Sequence, residues 1–276
     1  MRILVCRPRR AREPGSTREL ITALLQEGHA VHSGPPDRAA RRFLPELIVA
    51  HYAPGLLACA WFARRRHVPL CLMVDTEPRS SPLQRLLLRD VLRVLATNAA
   101  LKDAIMALGV VEERIEIVPG AVVPERIPPP TFAPDRPQGG VVIGWISGSK
   151  PASLAAPDLV LTTISEAVLP ARIPDLLAGI DVALCPEPAP ARLIDCMAAG
   201  CAIVAPDCPE VRELLEHERT ALLFHPTEAG ALQRTAARLI ADPSLRAQLG
   251  EAARSEIARR DLTWRGVARR LVEGVV

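Results

Sequence analysis

Two acidic residues eight positions apart, Glu187 and Asp195, have the types and the spacing that could do chemistry in this chain. The apolar run Val182–Cys185 predicts a buried strand, and residues 191–199 predict a helix that Gly200 ends. We therefore expect Glu187 at the carboxyl end of a strand and Asp195 about one turn into the following helix. Carboxylates at such positions can accept hydrogen bonds from the vicinal hydroxyls of a sugar or a ribose.

The start of the same helix, near Ala191, is a second candidate for binding. The first N–H groups of a helix have no partner within the helix, and its dipole is positive at this end, so that an anion such as a diphosphate fits there. Taken on spacing alone, two acidic residues at a strand-to-helix junction are more often a helix cap and a solvated side chain. The spacing predicts a site without settling its role.

Short apolar runs alternate with helical segments along the whole chain. Because continuous apolar strands joined by helices are typical of parallel sheets covered on both faces, we expect an α/β protein. The predicted strands are Ile3–Cys6, Leu47–His51, Pro69–Asp75, Val94–Thr97, Ile115–Val118, Val141–Ile146, Leu159–Leu161, Val182–Cys185, Ala202–Ala205 and Ala221–Phe224.

The proline-rich stretch between Val122 and Gly140 interrupts this alternation and predicts a linker. We expect an N-terminal domain at 1–130, a C-terminal domain at 131–262, and a helix at 263–276 that crosses back to the first domain. Ligands of doubly wound sheets bind outside the carboxyl ends of the strands, so the cleft between the domains is the expected site.

The composition of the 276 residues excludes several functions. A net charge of +3 and 3% aromatic residues, with no basic stripe, speak against nucleic-acid binding. The sequence lacks G-x-G-x-x-G, the P-loop, G-x-S-x-G, H-E-x-x-H and D-x-D, so we expect neither a cofactor nor a metal. Seven cysteines without a C-x-x-C pair, and no signal or membrane-spanning segment, predict a cytoplasmic protein.

The second half of the chain resembles the nucleotide-sugar-dependent retaining glycosyltransferases of the GT-B fold that carry a Glu-x7-Glu motif. The residues that carry this resemblance are Asp181–Glu187, Leu193–Pro206, Val211–Leu215 and Thr220–Phe224. The N-terminal half resembles the family more loosely, as in Pro45–His51 and Arg114–Gly120. The resemblance implies two facing Rossmann-like domains with an interdomain cleft, and a nucleoside diphosphate sugar, with UDP or GDP as the nucleotide, as substrate.

The resemblance also implies a role for each candidate residue. Glu187 would contact the donor sugar and Asp195 the ribose, while Lys150, Ser149 and Gly148 would neutralise or approach the diphosphate together with Ala191. Gly15 and Ser16 would approach the donor from the first domain; Ser16 and Glu19 also have the spacing of a capping box. Asp75 stands where the family often has a catalytic His, and His51 would face a small or lipid-linked acceptor.

Three departures from the family keep a second interpretation open. Pro188 and Pro190 have no N–H to offer the sugar, Asp195 is one methylene shorter than Glu, and Asp75 replaces a His. A degenerate member that binds a nucleotide sugar or a partner glycosyltransferase without turnover is the alternative, and a sugar-nucleotide isomerase is a third. Arg64–Arg66, at the end of an amphipathic helix, leave a contact with a membrane surface or a partner protein open.

Overall fold

The computed structural model describes residues 1–6, 15–36, 38–52, 56–78, 81–123, 140–146, 159–164 and 173–275. The chain forms two compact units, each with its own sheet. Unit 1 consists of Met1–Pro119 and Trp264–Val276, and unit 2 of Gly120–Thr263.

The sheet of unit 1 has, in the described residues, six parallel strands in the order β2-β1-β3-β4-β5-β6. The strands are β1 (Arg2–Cys6), β2 (Ala30–Gly34), β3 (Leu47–His51), β4 (Leu70–Val74), β5 (Arg93–Ala96) and β6 (Ile115–Ile117). The inner strands are buried because both faces of the sheet are covered by helices, as their continuous apolar sequences require.

Helices cover the two faces of this sheet. They are α1 (Gly15–Gln26), α2 (Arg38–Phe43), α3 (Leu56–Arg66), α4 (Pro82–Leu88), α5 (Ala99–Ala107) and, after unit 2, α11 (Trp264–Val272). Buried side chains of α3, α4 and α5 form one core with alternate residues of the strands. The C-terminal helix α11 packs on α1.

Two details of unit 1 differ from the prediction. The sequence analysis did not predict α2, whereas the segment around His29 and His32 has the pattern of a helix end running into a strand, and the mostly half-buried edge strand β2 forms there. Helix α1 begins at Gly15, so Ser16 lies inside the first turn and not at the cap position, and the predicted capping box is wrong in this detail.

Unit 2 contains, in its described part, five parallel strands in the order β11-β10-β9-β7-β8. They are β7 (Val141–Ile146), β8 (Leu159–Ile164), β9 (Val182–Leu184), β10 (Ala202–Pro206) and β11 (Leu222–Phe224). Successive side chains alternate between faces: Ala183 packs in the core with α6 (Ile173–Leu177) and α7 (Pro190–Ala199), whereas Val182 and Leu184 pack on the other face.

The remaining helices of unit 2 are α8 (Pro209–Arg212), α9 (Ala231–Ala241) and α10 (Pro243–Arg259). The helical periodicity of residues 210–216 predicts a helix, but only the single turn α8 forms there. The segment from Glu228 onward also has the pattern of a long helix, and it is divided at Asp242, whose carboxylate caps α10 by accepting a hydrogen bond from the Leu245 N–H at 2.9 Å.

Helix α7 is fixed at its carboxyl end. Gly200 ends it in the left-handed conformation (φ 73°) with N–H bonds to the Cys196 and Met197 carbonyls. Gly250 of α10 lies against this turn so closely that a Cβ would come within 2.1 Å of the Gly200 carbonyl oxygen. A backbone contact this close holds α7 at a defined height above the sheet.

Candidate functional site

The loop from β9 to α7 places Glu187 and the start of α7 at the carboxyl edge of the sheet of unit 2. Glu187 is exposed and makes no hydrogen bond or ion pair with any described residue. Residue Ala189 precedes α7 without a side-chain cap, and the first bond within the helix is Leu193 N–H to the Ala189 carbonyl at 2.9 Å. The N–H groups of Ala191 and Arg192 lie ahead of that bond and are available to an acceptor.

Proline at position 190 does not weaken this helix end. It is the first helical residue, where the missing N–H would have no partner in the helix and where the fixed φ of proline is already helical. The loss of donors caused by Pro188 and Pro190 is therefore confined to those two positions, and the amides of Ala191 and Arg192 remain.

Asp195 is held beside an arginine. Arg192 Nη1 lies 3.5 Å from Asp195 Oδ2, one turn away on α7, and the two side chains are 22% and 24% exposed. Burial raises the pKa of Asp195 to about 6, and the guanidinium of Arg192 opposes that rise. Asp195 can therefore accept hydrogen bonds fully only when the pH lies above about 6.

A second ion pair lies one strand away on the same edge. Asp207 directly follows β10, and Arg212 holds its carboxylate with two nitrogens, Nη2 lying 2.7 Å from Oδ2. This guanidinium lowers the pKa of Asp207. The carboxylate is occupied by its own arginine, so it is not available to a ligand in the way that Glu187 is.

In unit 1, His51 lies at the carboxyl end of β3 and contacts α1. The Nε2 atom of His51 is 3.2 Å from the Oγ1 atom of Thr17, which is buried. Burial lowers the pKa of His51, and the negative charge of Asp75, which follows the adjacent β4, opposes the shift. A neutral imidazole with Thr17 on Nε2 retains one nitrogen for a second hydrogen bond.

The structure brings some of the predicted site residues together and leaves others untested. Glu187, Ala191 and Asp195 share the β9–α7 segment of unit 2, and His51 and Asp75 share one edge of unit 1. Two further predicted residues, Gly15 and Ser16, form the first turn of α1. Gly148, Ser149 and Lys150 lie outside the described residues.

Two residues that the sequence analysis did not single out belong to these groups. Arg192 stands three residues before Asp195, a spacing that pairs side chains on a helix, so the sequence carried a signal for it. Thr17 carried none, because its contact with His51 depends on β1 and β3 being neighbours in the sheet.

A cavity of about 470 Å³ lies elsewhere in unit 2, between the segment after α8 and the end of α10. Its arginines are neutralised by buried or nearby acids: Arg259 binds Glu256 at 2.6 Å and Arg219 binds Glu216 at 2.6 Å. Arg219 also lies 3.5 Å from Glu256, and this ion pair fastens α10 to the loop before β11. Among the described residues no group of three His, Cys, Asp or Glu side chains could hold a metal ion.

A family model and several solved structures are similar to this chain. Residues 162–256 match the model of the family described as "Glycosyl transferases group 1". This region contains β9, α7, Glu187 and Asp195. No curated protein sequence is significantly similar to the chain.

Three solved structures illustrate the similarity in fold. HepE from Anabaena in complex with UDP-glucose is 17% identical, with 99% of this chain and 98% of that chain covered and a TM-score of 0.67. A glycosyltransferase from Rickettsia africae is 10% identical over 99% of both chains, with a TM-score of 0.71. Sucrose-phosphate synthase from Thermosynechococcus elongatus is 13% identical over 98% and 97%, with a TM-score of 0.68.

Proteins this distant in sequence share the fold, and the expected GT-B fold is confirmed. No helix in the described part of the chain is long and apolar enough to cross a membrane.

Proposed function

We propose that this chain, which has the GT-B fold and matches the group 1 glycosyl transferases over residues 162–256, transfers a sugar from a nucleoside diphosphate donor to an acceptor. The observation that carries the proposal is the start of α7. The segment holds two amides ahead of the first bond of the helix, the exposed carboxylate of Glu187 and the half-buried carboxylate of Asp195, all within the matched region. A diphosphate between two polyhydroxylated groups, a sugar and a ribose, needs this combination of groups.

Each residue of this segment has a role in the proposal. The N–H groups of Ala191 and Arg192 and the positive end of α7 bind the diphosphate. Glu187 accepts hydrogen bonds from the donor sugar, and Asp195 accepts them from the ribose. Gly148, Ser149 and Lys150 stay proposed ligands of the diphosphate, and Gly15 and Ser16 stay proposed contacts on the first unit.

The proposed reaction breaks the bond between the anomeric carbon and the diphosphate oxygen and forms a bond from that carbon to an acceptor oxygen. The electron pair of the broken bond stays on the diphosphate, and the acceptor hydroxyl loses its proton. The protein contributes position and a fixed electrostatic field, since stabilising the charge on the leaving group lowers the barrier. We propose that this needs no metal ion and retains the anomeric configuration.

On the acceptor side we propose Asp75 and His51. The neutral His51, oriented by Thr17, can accept the proton of an acceptor hydroxyl or bind a hydroxyl oxygen, depending on its tautomer. Asp75 is exposed and can accept from a hydroxyl of either substrate. A small or lipid-linked acceptor fits this proposal equally well.

The first experiment is a calorimetric or thermal-shift titration with UDP, GDP, ADP, dTDP and their sugar conjugates. The complexes of HepE with UDP and UDP-glucose make the uridine series the first to try. We expect a response to one series that weakens in Asp195→Ala and Glu187→Gln, while Glu228→Gln, an exposed acid of unit 2 paired with Arg234, is unchanged. No response of the folded protein to any nucleotide would contradict the proposal.

The alternative is a non-catalytic binding protein, which Pro188 and Pro190 favour because they remove two donors near the sugar. Slow hydrolysis of the bound donor in the absence of an acceptor distinguishes the two functions. A transferase releases the free nucleoside diphosphate, and we expect Glu187→Gln to slow this release. EDTA should leave the release unchanged. Tight binding without any release would support the alternative.

A further inference from the structure

Helices α3 and α4 of unit 1 have large apolar side chains on their outer surface, where they are exposed and do not pack on the sheet. Leu57 and Trp61 on α3 are 37% and 52% exposed, and Leu83 and Leu86 on α4 are 52% and 49% exposed. Single exposed leucines are common on soluble proteins, but four large apolar residues on two adjacent helices form an exposed patch of the kind that marks an interaction site.

These side chains lie on the outer faces because the inner faces are already occupied. Cys59, Ala63 and Phe62 of α3 and Leu87 and Leu88 of α4 are buried in the core of the sheet. With 3.6 residues per turn, Leu57, Trp61, Arg64 and Arg65 fall on the opposite side of α3. Leu83 and Leu86, three residues apart, share the outer side of α4.

Contacts between the two helices make this one surface. Arg64 Nη1 lies 3.2 Å from Asp90 Oδ2 and donates to the Leu86 carbonyl at 3.3 Å. The guanidinium of Arg65 lies 5.2 Å from the ring centroid of Trp61. The α3–α4 surface therefore consists of the following side chains: Leu57, Trp61, Arg64, Arg65, Leu83, Arg85, Leu86 and Arg89.

The charges on this surface are almost all positive. It carries four exposed arginines, and Asp90, the one exposed acid over 56–66 and 81–91, is paired with Arg64. A second copy of the same surface would be repelled by these charges. A partner that has phosphate groups next to an apolar layer would bind both the arginines and the apolar side chains of this surface.

We propose that the α3–α4 surface docks unit 1 on a bilayer that contains anionic phospholipids. Trp61, Leu57, Leu83 and Leu86 enter the boundary between headgroups and acyl chains, and Arg65 and Arg89 bind the phosphates. Trp61 has the side chain best suited to that depth, because its ring is apolar and its N–H is polar. The docking is independent of the donor site in unit 2.

The test is co-sedimentation of the whole chain with vesicles of phosphatidylcholine, alone and with about one third phosphatidylglycerol. We expect the protein to sediment only with the mixed vesicles. Trp61→Ser and Leu86→Ser should lower binding about tenfold each, and Arg65→Gln and Arg89→Gln about fivefold each. The matched control is Leu25→Ser on α1, which removes a leucine that is 53% exposed outside the α3–α4 surface.

Fluorescence tests the depth of insertion separately from binding. Of the three tryptophans, Trp145 is buried, Trp264 of α11 is partly buried and Trp61 is half exposed, so mixed vesicles should shift the emission of Trp61 to shorter wavelength. Trp61→Phe should still sediment with the vesicles but lose this shift. A shift that persists in Trp61→Phe would show that another part of the chain inserts.

Three results would overturn the proposal. The first is a folded protein that does not sediment with mixed vesicles. The second is equal binding of Trp61→Ser and Leu25→Ser, and the third is a dimer in sedimentation velocity that Trp61→Ser dissociates. The response to UDP should be the same in Trp61→Ser as in the unchanged protein, so failure here is distinguishable from failure of the proposed function.

Discussion

Asp195 is the residue whose ionisation should be visible in both stability and binding. Its pKa rises from the ordinary 3.8 to about 6 in the folded protein, so the folded state binds more protons than the unfolded state between these values. The free energy of unfolding should therefore fall as the pH rises through this window. We expect Asp195→Asn to remove this fall and to stabilise the protein at pH 7 by about 2 kcal/mol.

Chemical denaturation at several pH values measures the change in the free energy of unfolding. Titration of the same variant with UDP measures the change in nucleotide affinity. Because Asn accepts fewer hydrogen bonds and carries no charge, UDP affinity should fall about tenfold in Asp195→Asn. A variant that is less stable at pH 7, or that binds UDP as before, would show that Asp195 has an ordinary structural role.

Arg192 should set the pH at which Asp195 becomes a carboxylate. Its guanidinium opposes the effect of burial, so Arg192→Gln should raise the pKa of Asp195 further above about 6. The midpoint of the pH dependence of UDP binding should then move upward, whereas Arg234→Gln, on α9, should leave it in place. An unchanged midpoint would show that Arg192 does not affect the pKa of Asp195.

At the residue scale the sequence predicted the positions of the carboxylates but not their environment. The Glu-to-Asp spacing and the apolar strand before it place Glu187 and Asp195 at the edge of a sheet, because these are local signals. The pairing of His51 with Thr17 joins residues 34 positions apart, and no local pattern encodes it. Roles for the two carboxylates came from the resemblance and stay proposals.

At the element scale, the contact between α10 and the end of α7 should control the stability of unit 2. A Cβ on Gly250 would overlap the backbone of Gly200, which cannot rotate away as a side chain can. We expect Gly250→Ala to destabilise the protein by about 3 kcal/mol, despite the better helix propensity of alanine. Thermal or chemical unfolding measures the change.

Alanine variants at two other glycines, Gly144 and Gly179, serve as comparisons for Gly250→Ala. A Cβ on Gly144 would approach the flexible end of Ile180 at 2.4 Å, and a Cβ on Gly179 would meet nothing within 4 Å. Gly144→Ala should therefore have an intermediate cost and Gly179→Ala a small one. If all three variants were equally stable, packing of α10 on α7 would not be what positions the donor segment.

Strands with an apolar run were predictable at inner positions and at edges alike, and the edge strands β6, β8 and β11 were predicted together with the inner ones. The strand β3 has a run of buried apolar residues because it lies between β1 and β4, and its predicted bounds agree with the structure. The edge strand β2 is mostly half-buried, and its sequence has no continuous apolar run. The single turn α8 was predicted as a longer helix because Glu210–Glu216 has helical periodicity, yet the chain turns after Arg212 to reach β11.

At the scale of the whole molecule, the chain leaves unit 1 at Pro119 and returns to it at Trp264. The returning helix α11 buries Val267, Ala268 and Leu271. Arg265 binds Glu27, the residue after α1, at 2.9 Å, and Arg270 binds Glu116 of β6 at 2.8 Å. Unit 1 is therefore built from two separate stretches of the chain, and the residues of unit 2 lie between them in the sequence.

A chain that ends at Thr263 should for this reason lose stability in unit 1 and not in unit 2. Exposing the surface that covers Val267 and Leu271 removes about 4 kcal/mol of burial from unit 1. Hydrogen exchange should show faster exchange in β1–β6 and unchanged exchange in β9 and β10. Leu271→Ala is the milder companion variant and should have a smaller effect in the same strands. Equal loss of protection in both sheets would mean that the two units unfold as one, since a local loss of burial can spread only through cooperative unfolding.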